Sequence, residues 1–153
     1  MSDMELCIEA RNKAGNYFKD GYNCAEAIFL TFRELLLPEL DPAMVKLVTG
    51  FGNGVGQAGC MCGALTGTIV SLNMLNGRTS NHESNAKAYE YSKEFSERFE
   101  TKYGASCCRV LNTYPFGTKE HLTNCLKITG NTAKLFMEYL LEKGLYVHEK
   151  VKI

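Results

Sequence analysis

The sequence has no excess of either charge: seventeen Lys and Arg stand against seventeen Asp and Glu. No net field is available to draw in nucleic acid or an anionic membrane surface, so no nucleic-acid partner is expected. Little in the chain suits export or a membrane. The first five residues, from Met1 to Glu5, are acidic and lack the basic and apolar regions of a secretory signal. The most apolar run, 64–75, is interrupted by Thr66, Gly67, Thr68, Ser71 and Asn73, which is too short and too polar to span a bilayer. A cytoplasmic protein without membrane insertion is the expectation. Strand-like alternation is absent, as is any repeated block, which removes support for a βαβ fold or a solenoid. A chain of 153 residues can bury one ordinary core. The expected architecture is therefore all-α, a compact single-domain bundle of about five to seven helices.

Histidine is scarce, and only His121 falls near a cysteine, four residues before Cys125. On a continuous helix that is one turn, so His121 can ligate a metal or assist a thiol, although an exposed or capping histidine is the better reading. His82 opens a polar helix and His148 lies in the tail, and neither is given a role. No pair of carboxylates stands in an apolar setting, and no Ser-His-Asp arrangement has a nucleophile elbow around it. Hydrolase chemistry is not indicated.

Helix boundaries follow from caps and glycines. A first helix runs from Asp3 to about Lys19, with Gly21 as its stop. Asn23 and Glu26 form an Asn version of the capping box, which opens a helix over 24–37 and puts Cys24 in its first position. Asp41-Pro42 starts a short third helix. Gly50, Gly52, Gly54, Gly56 and Gly59 then make a loop that feeds a helix over 62–76. A long polar helix follows over 83–103, then a brief one capped by Ser106. Thr118 starts the last helix, which reaches about Lys143. Gly130 can break or bend that helix, and Asn124 before Cys125 offers a second cap.

Seven cysteines are hard to read as a disulfide framework without an export signal, because the cytosol keeps thiols reduced and an odd count leaves one unpaired. What recurs is a cap-type residue just before cysteine: Asn23-Cys24, Ser106-Cys107-Cys108, Asn124-Cys125 and, more loosely, Gly59-Cys60. A helix N-terminus offers unpaired N–H groups and about half a positive charge, both of which favour thiolate over thiol. Only the thiolate attacks disulfides or binds soft metals. The plain alternative for each cysteine is a small buried side chain, and that is the reading for Cys7. Cys60-Met61-Cys62 can be a chelate or a redox pair. Gly54-Val-Gly-Gln-Ala-Gly59 matches a dinucleotide fingerprint by letter but follows a helix instead of a strand, so no nucleotide is expected. These glycines let the backbone approach a cofactor or the thiols closely.

Cys62-Gly63-Ala64-Leu65-Thr66-Gly67 resembles the C-G-A-x-x-G mark of the C_GCAxxG_C_C family, a group described as redox-active, in which four spaced cysteines accompany that motif. The resemblance spans roughly residues 17–142. It implies that Cys24 in Gly-Tyr-Asn-Cys-Ala-Glu-Ala is the first family cysteine, Cys62 the second, Cys108 in the pair Cys108-Arg109 the third, and Cys125 the last. Cys7, Cys60 and Cys107 are additions to that pattern.

Three functions follow. The leading one is a redox protein in which Cys24, Cys62, Cys108 and Cys125 bind an iron–sulfur cluster or zinc, chiefly for electron transfer, with Gly59, Cys60, Gly63 and Cys107 beside them. The second is a thiol–disulfide protein or redox sensor that uses cysteine pairs. The third is a helical interaction module with structural cysteines. The first two need a redox partner that these residues do not identify, and a homo-oligomer is compatible with all three.

Overall fold

The computed structural model describes residues 1–146, so His148 lies outside the described residues. Its α-helices are α1 (Asp3–Lys19), α2 (Cys24–Leu36), α3 (Gly52–Val55), α4 (Gly63–Asn76), α5 (Ala86–Tyr103), α6 (Cys108–Leu111) and α7 (Lys119–Glu142), with 3₁₀ turns at Pro42–Leu47 and Thr49–Phe51. The fold is all-helical, and the extended pairing among the described residues is one antiparallel bridge between Met61 and Cys107. None of the described helices is long and apolar enough to cross a membrane.

Two helices start on complete capping boxes. Ser2 Oγ accepts from the Glu5 N–H while the Ser2 N–H donates to the Glu5 carboxylate. Asn23 and Glu26 do the same for α2. The α2 cap also reaches outward: Asn23 Nδ2 donates to Thr49 O at 2.9 Å and Thr49 Oγ1 donates to the Glu26 carboxylate at 2.9 Å. One local signal therefore anchors both a helix and the segment leading to α3.

The main core gathers Phe32, Leu65, Phe95, Phe99, Phe136 and Tyr139, all fully buried. Phe136 joins two sides of it, with its ring 4.3 Å from Phe32 and 5.5 Å from Phe95, centroid to centroid. Cys7 belongs to this core as a packing residue. Small residues set the helix spacings. A Cβ on Gly67 of α4 would lie 2.7 Å from Ala25 O, so α2 and α4 touch backbone to backbone there.

Two expectations about α7 are corrected. Gly130 does not break it and serves packing: a Cβ there would meet Arg11 Cγ at 3.3 Å where α1 lies against α7. Asn124 caps nothing, since its Nδ2 donates to Leu111 O at 3.1 Å. Cys125 therefore sits in the second turn of a continuous helix, not at a helix start. The other three site cysteines do stand at helix starts: Cys24 and Cys108 open α2 and α6, and Cys62 caps α4. Cys107, not Ser106, occupies the cap position of α6.

Candidate functional site: a buried group of four thiols

The glycine-rich loop folds into a feature that sequence reasoning did not reach. Residues 53–57 all have positive φ, from 55° at Asn53 to 69° at Gln57. The turn, which includes most of α3, is left-handed and closes with Gly56 N–H donating to Gly52 O at 2.9 Å. Consecutive left-handed residues are costly for any side chain with a Cβ, most of all for β-branched Val55. The turn aims the Asn53 N–H at the sulfur of Cys24.

Around that sulfur the other thiols assemble. Cys24, Cys62, Cys108 and Cys125 are all buried, with Cys24 only 2% exposed. The Cys24 and Cys125 side chains are hydrogen-bond partners, and Cys125 also feels the charge of Cys24, Cys62 and Cys108. The chain brings these four thiols together from positions 24, 62, 108 and 125. Two asparagines fix the last pair of elements: Asn124 bonds Leu111 O, and Asn112 Nδ2 donates to His121 O at 3.0 Å, tying α6 to α7.

Glycines clear the space, as the sequence suggested. A Cβ on Gly63 would fall 2.3 Å from Cys24 Sγ, and one on Gly54 would fall 2.7 Å from Cys108 Cβ. Gly59, Cys60 and Cys107 form the rim. Segment 59–62 runs antiparallel to 106–109, with Cys62 N–H donating to Ser106 O at 2.8 Å and Cys108 N–H to Cys60 O at 2.5 Å. Gly59 O accepts from Arg109 Nε at 3.2 Å. Cys60 is exposed and Cys107 half-buried.

The helix-start argument holds for ionisation at one sulfur only. Cys24 is lowered to about 7, first by the hydrogen bond from Cys125, with the N–H groups of Asn53, Ala25 and Cys24 assisting against burial. Burial, then the charge of Cys24, pushes Cys62 up to about 12, although the Ala64 and Leu65 N–H groups face its sulfur. Burial also raises Cys108. Cys125 is raised, first because its proton is held on the bond to Cys24. Cys24 is thus the thiol of the group most disposed to ionise, and a second thiolate beside it is disfavoured.

His121 is corrected from the exposed or capping reading: it is 2% exposed, its ring 4.9 Å from that of Phe116, and burial lowers its basicity. Among the described residues no three His, Cys, Asp or Glu side chains converge on a position for a single metal ion.

No solved structure matches this chain. An uncharacterized protein of Archaeoglobus fulgidus is 30% identical over 71 residues, which cover 46% of this chain and 47% of that protein. The chain thus spans about half the length of this curated relative. A family model described as "Putative redox-active protein (C_GCAxxG_C_C)" matches residues 22–139, which take in all four grouped thiols and the left-handed turn. The chain belongs to that C_GCAxxG_C_C family.

Proposed function

We propose that Cys24, Cys62, Cys108 and Cys125 hold an iron–sulfur cluster and that the protein transfers electrons through it to a redox partner. The observation that carries this reading is the meeting of four buried thiols from four separate elements, each within electrostatic reach of Cys125 or, for Cys125, of the other three. Thiolate sulfur is the donor that such clusters take. The missing Cβ atoms of Gly63 and Gly54 let the Cys24 sulfur and the Cys108 side chain pack directly against the backbone. Backbone N–H groups at Cys24 and Cys62 suit the tuning of a reduction potential, because hydrogen bonds to ligating sulfur stabilise negative charge there. Zinc accepts the same four donors, and metal analysis separates the two. When bound, the cluster supplies a one-electron couple. Burial of Cys24 keeps bulky disulfides from the sulfurs, whereas electrons can cross a thin protein layer.

Anaerobic purification followed by iron and acid-labile sulfide analysis and visible absorption tests this. The expected result is a coloured protein whose iron falls to background in Cys24→Ser and Cys62→Ser variants that remain helical. A folded protein that stays colourless and iron-free after reconstitution with iron and sulfide overturns the proposal.

A second reading rests on the Cys24–Cys125 hydrogen bond. A thiolate held by a neighbouring thiol is the resting state of a dithiol that closes to a disulfide, losing two electrons and two protons to an oxidant. Thiol counting and mass mapping after mild oxidation by a small oxidant such as hydrogen peroxide should find a reversible Cys24–Cys125 link. Persistence of both thiols removes this reading.

A further inference from the structure

Cys60 is not among the four grouped thiols, yet the fold places it directly against one of them. In the short ribbon formed by 59–62 and 106–109, Met61 is paired with Cys107. The same register sets Cys60 opposite Cys108, the residue at which the ribbon gives way to α6. The Cys108 N–H donates to Cys60 O at 2.5 Å and the Arg109 N–H to Gly59 O at 3.1 Å, both from the first turn of α6, while the Cys60 N–H donates to Gly54 O at 2.9 Å. Residues opposed across a hydrogen-bonded antiparallel pair have Cα atoms about 5.5 Å apart, inside the range of roughly 4.4–6.8 Å that a disulfide bridges. Gly54 confirms the tightness from a third side: its missing Cβ would lie 2.7 Å from both Cys108 Cβ and Cys60 N.

The two thiols differ in access. Cys60 is exposed, while Cys108 is 7% exposed. The side chain of Arg109 folds over Cys60, with Nε on Gly59 O and Nη2 4.0 Å from Cys60 Sγ. A guanidinium in that position has N–H groups free to donate to an oxygen added to the sulfur.

We infer that Cys60 is a peroxide-reactive site paired with Cys108 as its resolving thiol. Hydrogen peroxide oxidises Cys60: an S–O bond forms, the O–O bond breaks, one water leaves, and Cys60 becomes a sulfenic acid. The Cys108 sulfur then attacks the Cys60 sulfur, expelling the hydroxyl with the remaining proton as a second water and leaving a Cys60–Cys108 disulfide. Two thiols thereby give two electrons to one peroxide. A small dithiol reverses the link by returning two electrons and two protons. Formation of the link does not depend on the cluster proposed above. One consequence does rest on that reading: Cys108 is withdrawn from the four-thiol group, so a bound cluster is released when Cys60 is oxidised.

The test treats the full chain as purified with a small molar excess of hydrogen peroxide. Free thiols are then blocked and linked peptides are mapped by mass spectrometry, with visible absorption followed in parallel. A Cys60–Cys108 link that dithiothreitol reverses is expected. It should persist in Cys107→Ser and vanish in Cys60→Ser, an exposed change that leaves helicity intact. In Arg109→Ala, dimedone trapping of the Cys60 sulfenic acid should fall severalfold. A link from Cys60 to Cys107 or Cys62, or a Cys60 that runs on to sulfinic acid with Cys108 still open to alkylation, overturns the inference. An iron-free protein that still forms the link would count against the cluster alone. In an iron-containing protein, equally fast bleaching of wild type and Cys60→Ser with no link formed would count against the pairing alone.

Discussion

Cys24 shows how far one sulfur departs from its neighbours. Its ionisation near 7 lies below the ordinary thiol value of about 8.5. A group whose folded value is depressed adds stability that is present above the unfolded value and lost as pH falls through the folded one. The metal-free protein should therefore gain stability from about pH 7 to pH 8.5, by at most about 2 kcal/mol. Cys62 has the opposite sign: raised to about 12, it contributes below the ordinary thiol value and loses that contribution as pH climbs toward 12. The raised Cys108 and Cys125 act in the same direction as Cys62. Chemical denaturation across this range should show a maximum near the ordinary thiol value. Replacing Cys125 by Ala removes the donor to Cys24, and the thiolate absorbance titration of Cys24 should then move upward. An unchanged midpoint would show that the hydrogen bond does not set it. At the neighbouring glycine, Gly63→Ala would force a carbon to 2.3 Å from Cys24 Sγ and 3.0 Å from Phe51 O. Overpacking of this kind costs about 1–3 kcal/mol, and thermal unfolding of the variant should show it.

At the level of elements, chemistry written into a few consecutive residues is legible in the sequence alone. The Asn23 and Glu26 box defines the start of α2, and so locates Cys24, because both partners lie within one turn. Thr118 likewise starts α7, its hydroxyl accepting from the His121 N–H. What the sequence hides depends on neighbours distant along the chain. Gly130 carries a helix-weakening signal, but the approach of α1 makes its small size an asset, and the helix continues past it. Asn124 has the right side chain for a cap and is instead committed to the Leu111 carbonyl. The left-handed turn is hidden for a similar reason. Its alternating glycines announce a permissive loop, but nothing local says that Val55 and Gln57 must join them at positive φ. Val55 bears part of the strain of left-handed backbone, about 1–2 kcal/mol per residue. Since its side chain is 47% exposed, Val55→Gly should raise thermal stability by roughly 0.5–1 kcal/mol after the added unfolded-chain entropy of glycine is subtracted. A loss of stability would show that the valine packs more than it strains.

Across the whole molecule, the four sulfurs come from positions 24, 62, 108 and 125, so none of the intervening segments carries the site by itself. The resemblance to the C_GCAxxG_C_C family singles out the four cysteines from motif order, whereas their meeting requires tertiary contacts: α2 against α4, and α6 fastened to α7 by Asn112 and Asn124. Asn124→Ala should cost about 1 kcal/mol, the usual net worth of one hydrogen bond, and should loosen α6 more than it unfolds the bundle. Faster alkylation of Cys108 than of Cys24 in that variant would report this loosening. Equal rates would mean that the site opens only with the whole fold.

The Asn53 amide gives this assembly a clock. That N–H is supplied by a strained turn, yet it is committed to the Cys24 sulfur. Its exchange with solvent deuterium must wait for the turn to let go of the thiolate, whereas the core amides wait for global unfolding. The interval between the two rates measures the lifetime of a folded protein whose sulfurs are momentarily unguarded, the state through which metal or oxidant would enter.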